Sequence, residues 1–148
     1  MSLMVWLRLL SCSTEIENEI RRRLRSQFGM TPARFDFLAQ LYRHREGLRM
    51  CTLARYLMVT RGSITLLAHE LEKHGLVERE ATAADRRSFT LRLTLKGRET
   101  FERVAGDHEQ WVLDLFSGIN AADRKVLSCV LGRLRLHLSG RLSSAKAT

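Results

Sequence analysis

The stretch ATAADRRSFTLRLTLKG, residues 81–97, decides which fold the sequence predicts. Within it, Phe89, Leu91 and Leu93 alternate with polar residues, and this period of two predicts a half-buried strand. A short apolar and charged segment, residues 76–80, precedes it and predicts a partner strand. The turn between the strands would contain small residues at 81–84 and then the charged residues 85–87. No apolar residue there needs cover, so two adjacent arginines suggest a binding role.

Two helices are predicted immediately before this hairpin. The first spans residues 50–57, and its inward-facing positions are Leu53, Ala54 and Leu57. Met58 and Val59 predict a tight turn. Thr60 then occupies the N-cap position of a second helix, residues 61–74, that ends at Gly75 and has the apolar stripe Ile64, Leu67, Ala68 and Leu71. Such a pair predicts a helix-turn-helix, whose second helix can enter the major groove of DNA.

A hairpin after a helix-turn-helix is the winged form of that motif. Its tip can reach the narrow, strongly negative minor groove, where an arginine binds without reading a distinct base pattern. Arg86 and Arg87 would supply the cations, and Asp85 is well placed to hold one guanidinium through a charge-assisted hydrogen bond. The wing residues predicted to bind DNA are therefore Asp85, Arg86 and Arg87.

Helical patterns flank this unit on the N-terminal side. Residues 3–27 have apolar residues at four-residue spacing, and Gly29 ends that pattern. Thr31 and Pro32 predict the N-cap and first position of a further helix, which Gly47 would close. Its core-facing residues are predicted to be Phe35, Leu38 and Leu41 or Tyr42.

On the C-terminal side, Thr94 would cap a helix to about residue 116, and a last helix would span about 122–138. These outer helices carry more apolar residues than so small a centre can cover, which indicates packing against another subunit. The predicted fold is mainly α with a small β-hairpin wing. Residues 31–93 would form the DNA-binding domain, residues 1–30 and 94–142 would supply dimerisation helices, and residues 143–148 would be a frayed tail.

The amino-acid composition limits the classes of binding partner that we expect. The 148 residues include 25 Lys and Arg against 16 Asp and Glu, a formal charge of +9, which favours nucleic acid or an anionic surface. No apolar stretch approaches the roughly 18 residues that span a bilayer, and Arg8 interrupts the first apolar run, so neither a membrane span nor a signal peptide is expected. We expect a cytoplasmic protein with no membrane partner. A membrane-surface role for the basic run 21–23 is the less favoured alternative to a solvated face or a phosphate contact.

Several short motifs together resemble the wing signature of MarR-type transcriptional regulators: GLVER (75–79), DRRS (85–88) and LTLKGR (93–98). The resemblance extends back through MTPARF (30–35), LA (53–54), SIT (63–65) and LE (71–72). It covers about residues 30–98 by motif and the remainder by helix order. It implies a bacterial homodimer, joined through its first and last two helices, that binds a pseudo-palindromic operator and is often released by a small ligand or an oxidant.

The resemblance also implies which residues of the second helix face the major groove: Thr60, Arg61, Gly62, Ser63, Thr65, Leu66 and His69. Ser63 and Thr65 can donate to or accept from base edges and phosphates, while Arg61 lies within reach of a phosphate or a guanine. Leu66 departs from the polar or basic residue common in the family, and its side chain can touch a thymine methyl group.

Other chemistries fit less well. His69, Glu70 and His74 have HExxxH spacing, which turns the two histidines about 140° apart, so no metal site is expected and Glu70 with His74 is interpreted as a surface pair. No catalytic arrangement or phosphate-binding loop is present, so we expect neither an enzyme nor a cofactor.

Three alternatives concern regulation and partners. Cys12 raises the possibility of a thiol-based redox sensor, although an inert, partly buried cysteine is favoured. A winged-helix protein interaction module without specific DNA binding is the alternative from another class. The resemblance implies a pocket for a small aromatic or lipophilic effector, but Phe28, Phe35 and Trp111 are equally plausible as core residues, so the ligand-binding residues are unknown.

Overall fold

The computed structural model describes residues 1–82 and 85–145, and the side chains of residues 85–88 and 142–145 are outside that description. The described elements are α1 (Ser2–Phe28), α2 (Pro32–Arg43), α3 (Met50–Leu57), α4 (Arg61–Lys73), β1 (Val77–Thr82), β2 (Asp85–Leu93), α5 (Leu95–Leu115) and α6 (Ala121–Ala145). They form two compact units, Met1–Glu109 and Gln110–Thr148, and α5 passes from the first into the second. The predicted fold class, mainly α with one β-hairpin, is confirmed.

Glycine and threonine mark the helix ends that the sequence predicted. Gly29 has a φ of 59°, and the amide groups of Gly29 and Met30 donate to the last carbonyls of α1. Thr31 Oγ1 accepts a hydrogen bond from the Arg34 amide at 3.3 Å, with Pro32 in the first helical position. The end of α2 is different from the prediction. The helix stops at Arg43, and Gly47 lies in the following turn with a φ of 89°.

The helix-turn-helix consists of α3, a short turn and α4. The bounds of α3 agree with the prediction, and Met58 takes the left-handed conformation with a φ of 55°. Thr60 Oγ1 accepts a hydrogen bond from the Ser63 amide at 3.2 Å and so caps α4. Ile64, Ala68 and Leu71 of α4 are buried, as its apolar stripe predicted.

The hairpin has a longer second strand than predicted. Val77 pairs with Leu93 at its base, and the pairing is regular up to Ala81 with Phe89. Thr82 then pairs with Asp85. Ala81 and Thr82 are adjacent in β1, whereas their partners in β2 are separated by the three residues 86–88, so the pairing register shifts there. The predicted turn over residues 81–87 is therefore wrong: residues 83 and 84, outside the described residues, connect the strands, and Asp85 already belongs to β2.

A third backbone segment joins this sheet. Leu48 and Leu91 exchange two backbone hydrogen bonds, of 3.0 Å and 2.8 Å, in an isolated antiparallel bridge. The bridge attaches the residue just before Arg49 to the hairpin, so the start of α3 has a fixed position relative to β2. A Cβ at Gly47 would lie 2.9 Å from the Leu91 carbonyl oxygen, which explains a glycine next to this bridge.

The core of the first unit is apolar and is formed by α1 to α4, the hairpin and the first part of α5. Phe37 is completely buried, although the predicted core face of α2 did not include it. Tyr42, Leu57 and Leu67 are only half-buried. The residues with essentially no exposed surface are Leu24, Phe37, Leu38, Leu41, Leu53, Ile64, Leu71, Leu91 and Val104.

The last helix is longer than predicted. Asn120 Oδ1 accepts a hydrogen bond from the Asp123 amide at 2.8 Å, and α6 then continues to Ala145. The prediction of a frayed tail is wrong for residues 143–145, whose backbone is helical, while residues 146–148 are outside the description. Large apolar residues of α6 are exposed on this chain: Val126, Leu127, Val130, Leu131, Leu134, Leu136 and Leu138.

Candidate nucleic-acid interface

The side of α4 opposite its buried stripe is exposed. All seven residues predicted to face DNA are exposed: Thr60, Arg61, Gly62, Ser63, Thr65, Leu66 and His69. The burial of Ile64, Ala68 and Leu71 fixes the rotation of the helix and therefore which side chains point outward. The structure thus brings this set together on one solvent-facing surface, which we call the α4 face.

Internal hydrogen bonds determine what the hydroxyl groups of the α4 face can offer. Thr60 donates its hydroxyl hydrogen to Ser63 Oγ at 3.0 Å, so Ser63 keeps its own hydroxyl hydrogen for a partner outside the helix. Thr65 donates to the Arg61 carbonyl at 2.8 Å. Because that hydrogen is already used, Thr65 offers oxygen lone pairs and a methyl group.

Two residues of the α4 face are not polar. Leu66 adds an apolar side chain, and Gly62 adds no side chain. The Leu66 side chain is 62% exposed, which leaves most of an isobutyl group available to an apolar partner such as a thymine methyl. A Cβ at Gly62 would meet no atom within 4 Å. Space within the protein therefore does not require a glycine there.

The wing residues lie at the start of β2. The backbone of Asp85, Arg86 and Arg87 belongs to that strand rather than to the connecting turn. Their side chains are outside the described residues, so the predicted bond between Asp85 and a guanidinium lies there as well. The position of this basic pair next to the hairpin connection agrees with a role at the end of the wing.

Sequence reasoning missed two basic residues beside the α4 face. A cleft of about 390 Å³ is lined by Arg49 at the start of α3, Arg61 of α4 and Arg79 of β1. Arg49 immediately precedes a predicted helix and Arg79 lies within a predicted strand, but nothing local shows that they converge. The Leu48–Leu91 bridge, which joins residues far apart in the chain, brings them together.

Glu70 has a different partner from the predicted one. Its carboxylate pairs with Arg34 of α2, with Nη2 and Oε2 at 2.9 Å. His74 instead donates from Nδ1 to the Glu70 backbone carbonyl at 2.7 Å. The interpretation of Glu70 and His74 as a side-chain pair is therefore wrong, and the Glu70 carboxylate links α4 to the start of α2.

The basic run of α1 is partly neutralised by one carboxylate. Glu19 accepts hydrogen bonds from Arg22 at 2.6 Å and 2.8 Å and from Arg23 at 2.7 Å. These charge-assisted bonds lower the pKa of the Glu19 carboxyl to about 2. Arg21 donates to Asn18 at 3.0 Å. The run therefore offers less free positive charge than its sequence indicated.

Two clefts lie along α2. The larger, about 550 Å³, has apolar walls that include Pro32, Leu57 and Leu67, with Arg21 and Glu70 at its edges. A second, about 380 Å³, is lined by Phe35, Asp36 and His108 among others. Of the three aromatic residues considered for an effector pocket, Phe35 lines the second cleft, and neither lining includes Phe28 or Trp111.

His108 and Asp36 in the second cleft have shifted pKa values. The imidazole of His108 stacks on Phe35 with ring centroids 4.5 Å apart, and burial lowers its pKa although the nearby Asp36 carboxylate opposes that shift. Partial burial raises the pKa of Asp36, against the opposing effect of His108 and Arg43. Both shifts disfavour the charged form of the side chain, and burial is the main cause of each.

The described residues contain neither a candidate metal-binding cluster nor a helix that could span a membrane. Among the residues with a described placement, no group of three or more His, Cys, Asp and Glu side chains could hold a metal ion. No helix over those same residues is both long enough and apolar enough to cross a bilayer. Cys12, Cys51 and Cys129 are exposed free thiols, so the expected partial burial of Cys12 is wrong for this chain, because its position on α1 faces solvent.

These features define a class of protein, the winged helix-turn-helix DNA-binding proteins. A family model described as MarR family matches residues 28–88, which include α2, α3, α4 and most of the hairpin. The resemblance of the sequence to MarR-type transcriptional regulators is confirmed over these residues.

Relatives and solved structures agree with this assignment. The uncharacterised HTH-type transcriptional regulator YdgJ of Bacillus subtilis is 27% identical over 111 residues, which cover 75% of this chain and 67% of YdgJ. The MarR-family regulator Sco3205 of Streptomyces coelicolor, solved in complex with DNA, is 29% identical with a TM-score of 0.79, covering 90% of this chain and 84% of that one. AbsC from the same organism is 28% identical with a TM-score of 0.80, covering 93% and 94%.

Proposed function

We propose that this chain is a transcriptional repressor that binds double-stranded DNA sequence-specifically, as a homodimer on a pseudo-palindromic operator. The observation that carries the proposal is the α4 face, a set of exposed polar side chains beside a hairpin with a basic pair at its far end. The complex of Sco3205 with DNA supports the same partner for a similar chain.

The α4 face would read bases in the major groove. Ser63 provides a donor, Thr65 provides an acceptor and a methyl group, and Leu66 provides an apolar surface, a combination that suits a site containing thymine. Arg86 and Arg87 would bind the adjacent minor groove or phosphates without reading a unique sequence. Specificity would then reside in α4, and the wing would add affinity.

A homodimer is supported by apolar residues that the chain itself leaves uncovered. In α1, six large apolar residues between Leu3 and Leu10 are exposed: Leu3, Met4, Val5, Trp6, Leu7 and Leu10. In α6, Leu127, Leu131, Leu134 and Leu138 repeat at spacings of three and four and are exposed as well. A second copy would cover these surfaces, and its two-fold symmetry would match a palindromic operator.

A small aromatic or lipophilic effector would release the DNA. The apolar walls of the larger cleft support this part of the proposal, because its lining includes Leu66 and Leu67 of α4 as well as the start of α2. A ligand wedged there would shift α4 relative to α2. Fluorescence displacement of a labelled operator duplex by a panel of aromatic acids and lipophilic cations tests it, and a panel without any effect would remove the effector from the proposal.

Selection of bound duplexes from a random pool, at two salt concentrations, tests the DNA-binding proposal. Sedimentation equilibrium on the same sample measures the oligomeric state. We expect an inverted repeat with half-site centres about one helical turn apart, bound by a dimer. Recovery of no enriched sequence, with binding that disappears at moderate salt, would favour the protein interaction module instead.

A further inference from the structure

The arginine cleft, lined by Arg49, Arg61 and Arg79, lies next to the α4 face. Cys51, Thr65 and Phe89 are also among its walls. Its volume of about 390 Å³ leaves room for a phosphate group with its sugar attachments. No carboxylate is present among the described residues that line it. The cleft is therefore small and strongly positive, because three guanidinium groups line it and, among the described residues, no carboxylate does.

The three arginines differ in whether other side chains of the protein hold their guanidinium groups. Arg79 is held in position, with its Nε 2.6 Å from Glu72 Oε1 and its guanidinium 4.4 Å from the centroid of the Phe89 ring. Arg49 and Arg61 are exposed, and across the described part of the chain the guanidinium group of neither has a hydrogen bond or an ion pair. Two uncompensated guanidinium groups thus share a cleft with a third that is only partly neutralised.

The backbone keeps these groups together. Leu91 of β2 is paired with Arg79 of β1 on one side and bridged to Leu48 on the other. Arg49 follows Leu48 directly and is the N-cap residue of α3, which has no side-chain cap. The first amide groups of α3 therefore add their partial positive charge beside Arg49. An anion bound here would be fixed relative to the start of both helices of the helix-turn-helix.

We propose that the arginine cleft binds a backbone phosphodiester of duplex DNA, immediately beside the bases that the α4 face reads. Arg49 and Arg61 supply the free guanidinium groups and Arg79 supplies a positioned wall. This assignment rests on the proposed function and adds Arg49 and Arg79 to its DNA contacts. Phosphate contacts fix the register of a protein on the duplex, so this cleft would set where α4 enters the groove.

The first test is the salt dependence of binding to the selected duplex. Removing one phosphate contact lowers the slope of log K against log salt by about 0.9, so Arg49→Ala should reduce it by about that amount and keep the sequence preference. Arg45→Ala is the matched control, because Arg45 is exposed, changes the same charge and does not line the cleft. A slope for Arg49→Ala equal to that of the control, with specific binding retained, would overturn the cleft assignment alone.

The second test leaves all arginines in place. Cys51 is exposed in the cleft wall, so in a Cys12→Ser, Cys129→Ser background its alkylation by N-ethylmaleimide reports occupancy. At duplex concentrations about ten times Kd, alkylation should slow about tenfold, since about nine-tenths of the protein is bound. Unchanged alkylation in a specific complex, or equal protection by inorganic phosphate, would overturn the assignment. If no duplex is bound specifically, the proposed function fails together with it.

Discussion

Gly97 lies in the first turn of α5, at a position where the fold allows no side chain. A Cβ there would lie 1.9 Å from the Leu76 carbonyl oxygen, a distance no real carbon and oxygen pair adopts. Thr94 holds the same junction together, because its hydroxyl donates to the Gly75 carbonyl at 2.6 Å and accepts from the Gly97 amide at 3.0 Å. The glycine therefore allows the first turn of α5 to lie directly against the Leu76 backbone, which follows α4.

Gly97→Ala should lower the free energy of unfolding by about 1–3 kcal/mol or more, because the backbone must move to relieve the clash. Gly106→Ala is the matched control on the same helix, since a Cβ there meets nothing within 4 Å. It should stabilise the protein by about 0.5–1 kcal/mol through higher helix propensity. Urea titration followed by circular dichroism measures both. Equal effects of the two substitutions would contradict the close approach at Gly97.

Thr65 is a residue where hydroxyl and methyl contributions can be separated. Thr65→Ala should leave the free energy of unfolding within about 0.5 kcal/mol of the wild type, because the side chain is exposed, yet change base preference at one position by about 1–3 kcal/mol. Thr65→Ser keeps the oxygen and removes the methyl group. Binding to a panel of single-base operator variants gives the preference of each protein, and an unaltered preference in both would remove Thr65 from the reading of bases.

At the scale of elements, the hairpin should supply affinity that is indifferent to sequence. Arg86→Ala and Arg87→Ala should each weaken binding to all duplexes alike and reduce the salt slope by about 0.9. Arg103→Ala is the control, because Arg103 is an exposed arginine on α5, outside the hairpin, and its removal changes the same charge. Fluorescence anisotropy at several salt concentrations measures the slopes. Affinity unchanged in both wing variants would remove the hairpin from the interface.

The contact between α2 and α5 should give stability a pH dependence. Burial lowers the folded-state pKa of His108 below its ordinary value of 6.5, so on acidification the unfolded chain takes up the proton first. The free energy of unfolding should therefore fall as pH drops from about 6.5 to the folded-state pKa, with no further loss below it. Asp36 has a raised pKa in the folded state. Its contribution to the free energy of unfolding therefore falls as pH rises above 3.8 and through the folded-state pKa.

Urea midpoints between pH 7.5 and about pH 3.5 check this prediction. His108→Gln should flatten the curve below about pH 6.5. Asp36→Asn should remove the opposite slope above pH 3.8 and extend the His108 slope to lower pH, because Asp36 no longer opposes the lowering of the His108 pKa. A His108→Gln curve with the wild-type slope would show that another group causes it.

Elements governed by local chemistry were predictable from the sequence. The bounds of α3 and the caps Thr31, Thr60 and Thr94 follow from side chains that act within one turn. Features that depend on distant pairing were not predictable. Phe37 is buried by tertiary packing, Glu70 pairs with an arginine 36 residues away, and the arginine cleft depends on the Leu48–Leu91 bridge.

At the scale of the whole molecule, α6 should hold two copies together. Leu134→Glu places a charge in the exposed stripe 127, 131, 134 and 138, so it should raise the dimer dissociation constant by at least about tenfold, equivalent to about 1.4 kcal/mol. Leu136 is 72% exposed and lies two positions along the helix, roughly on its opposite side, so Leu136→Glu is the matched control. Sedimentation equilibrium separates the two. Dimers of equal strength in both variants would place the interface elsewhere.

The proposed function assigns sequence-specific binding to duplex DNA to the α4 face. The most direct test is the ratio of affinities for the selected operator and for a scrambled duplex of the same length and composition, measured at about physiological salt. A specific regulator should bind the operator about 10³-fold or more tightly, and Thr65→Ala should lower that ratio while Arg86→Ala leaves it nearly constant. A wild-type ratio close to one would contradict the claim and leave only a basic winged-helix domain.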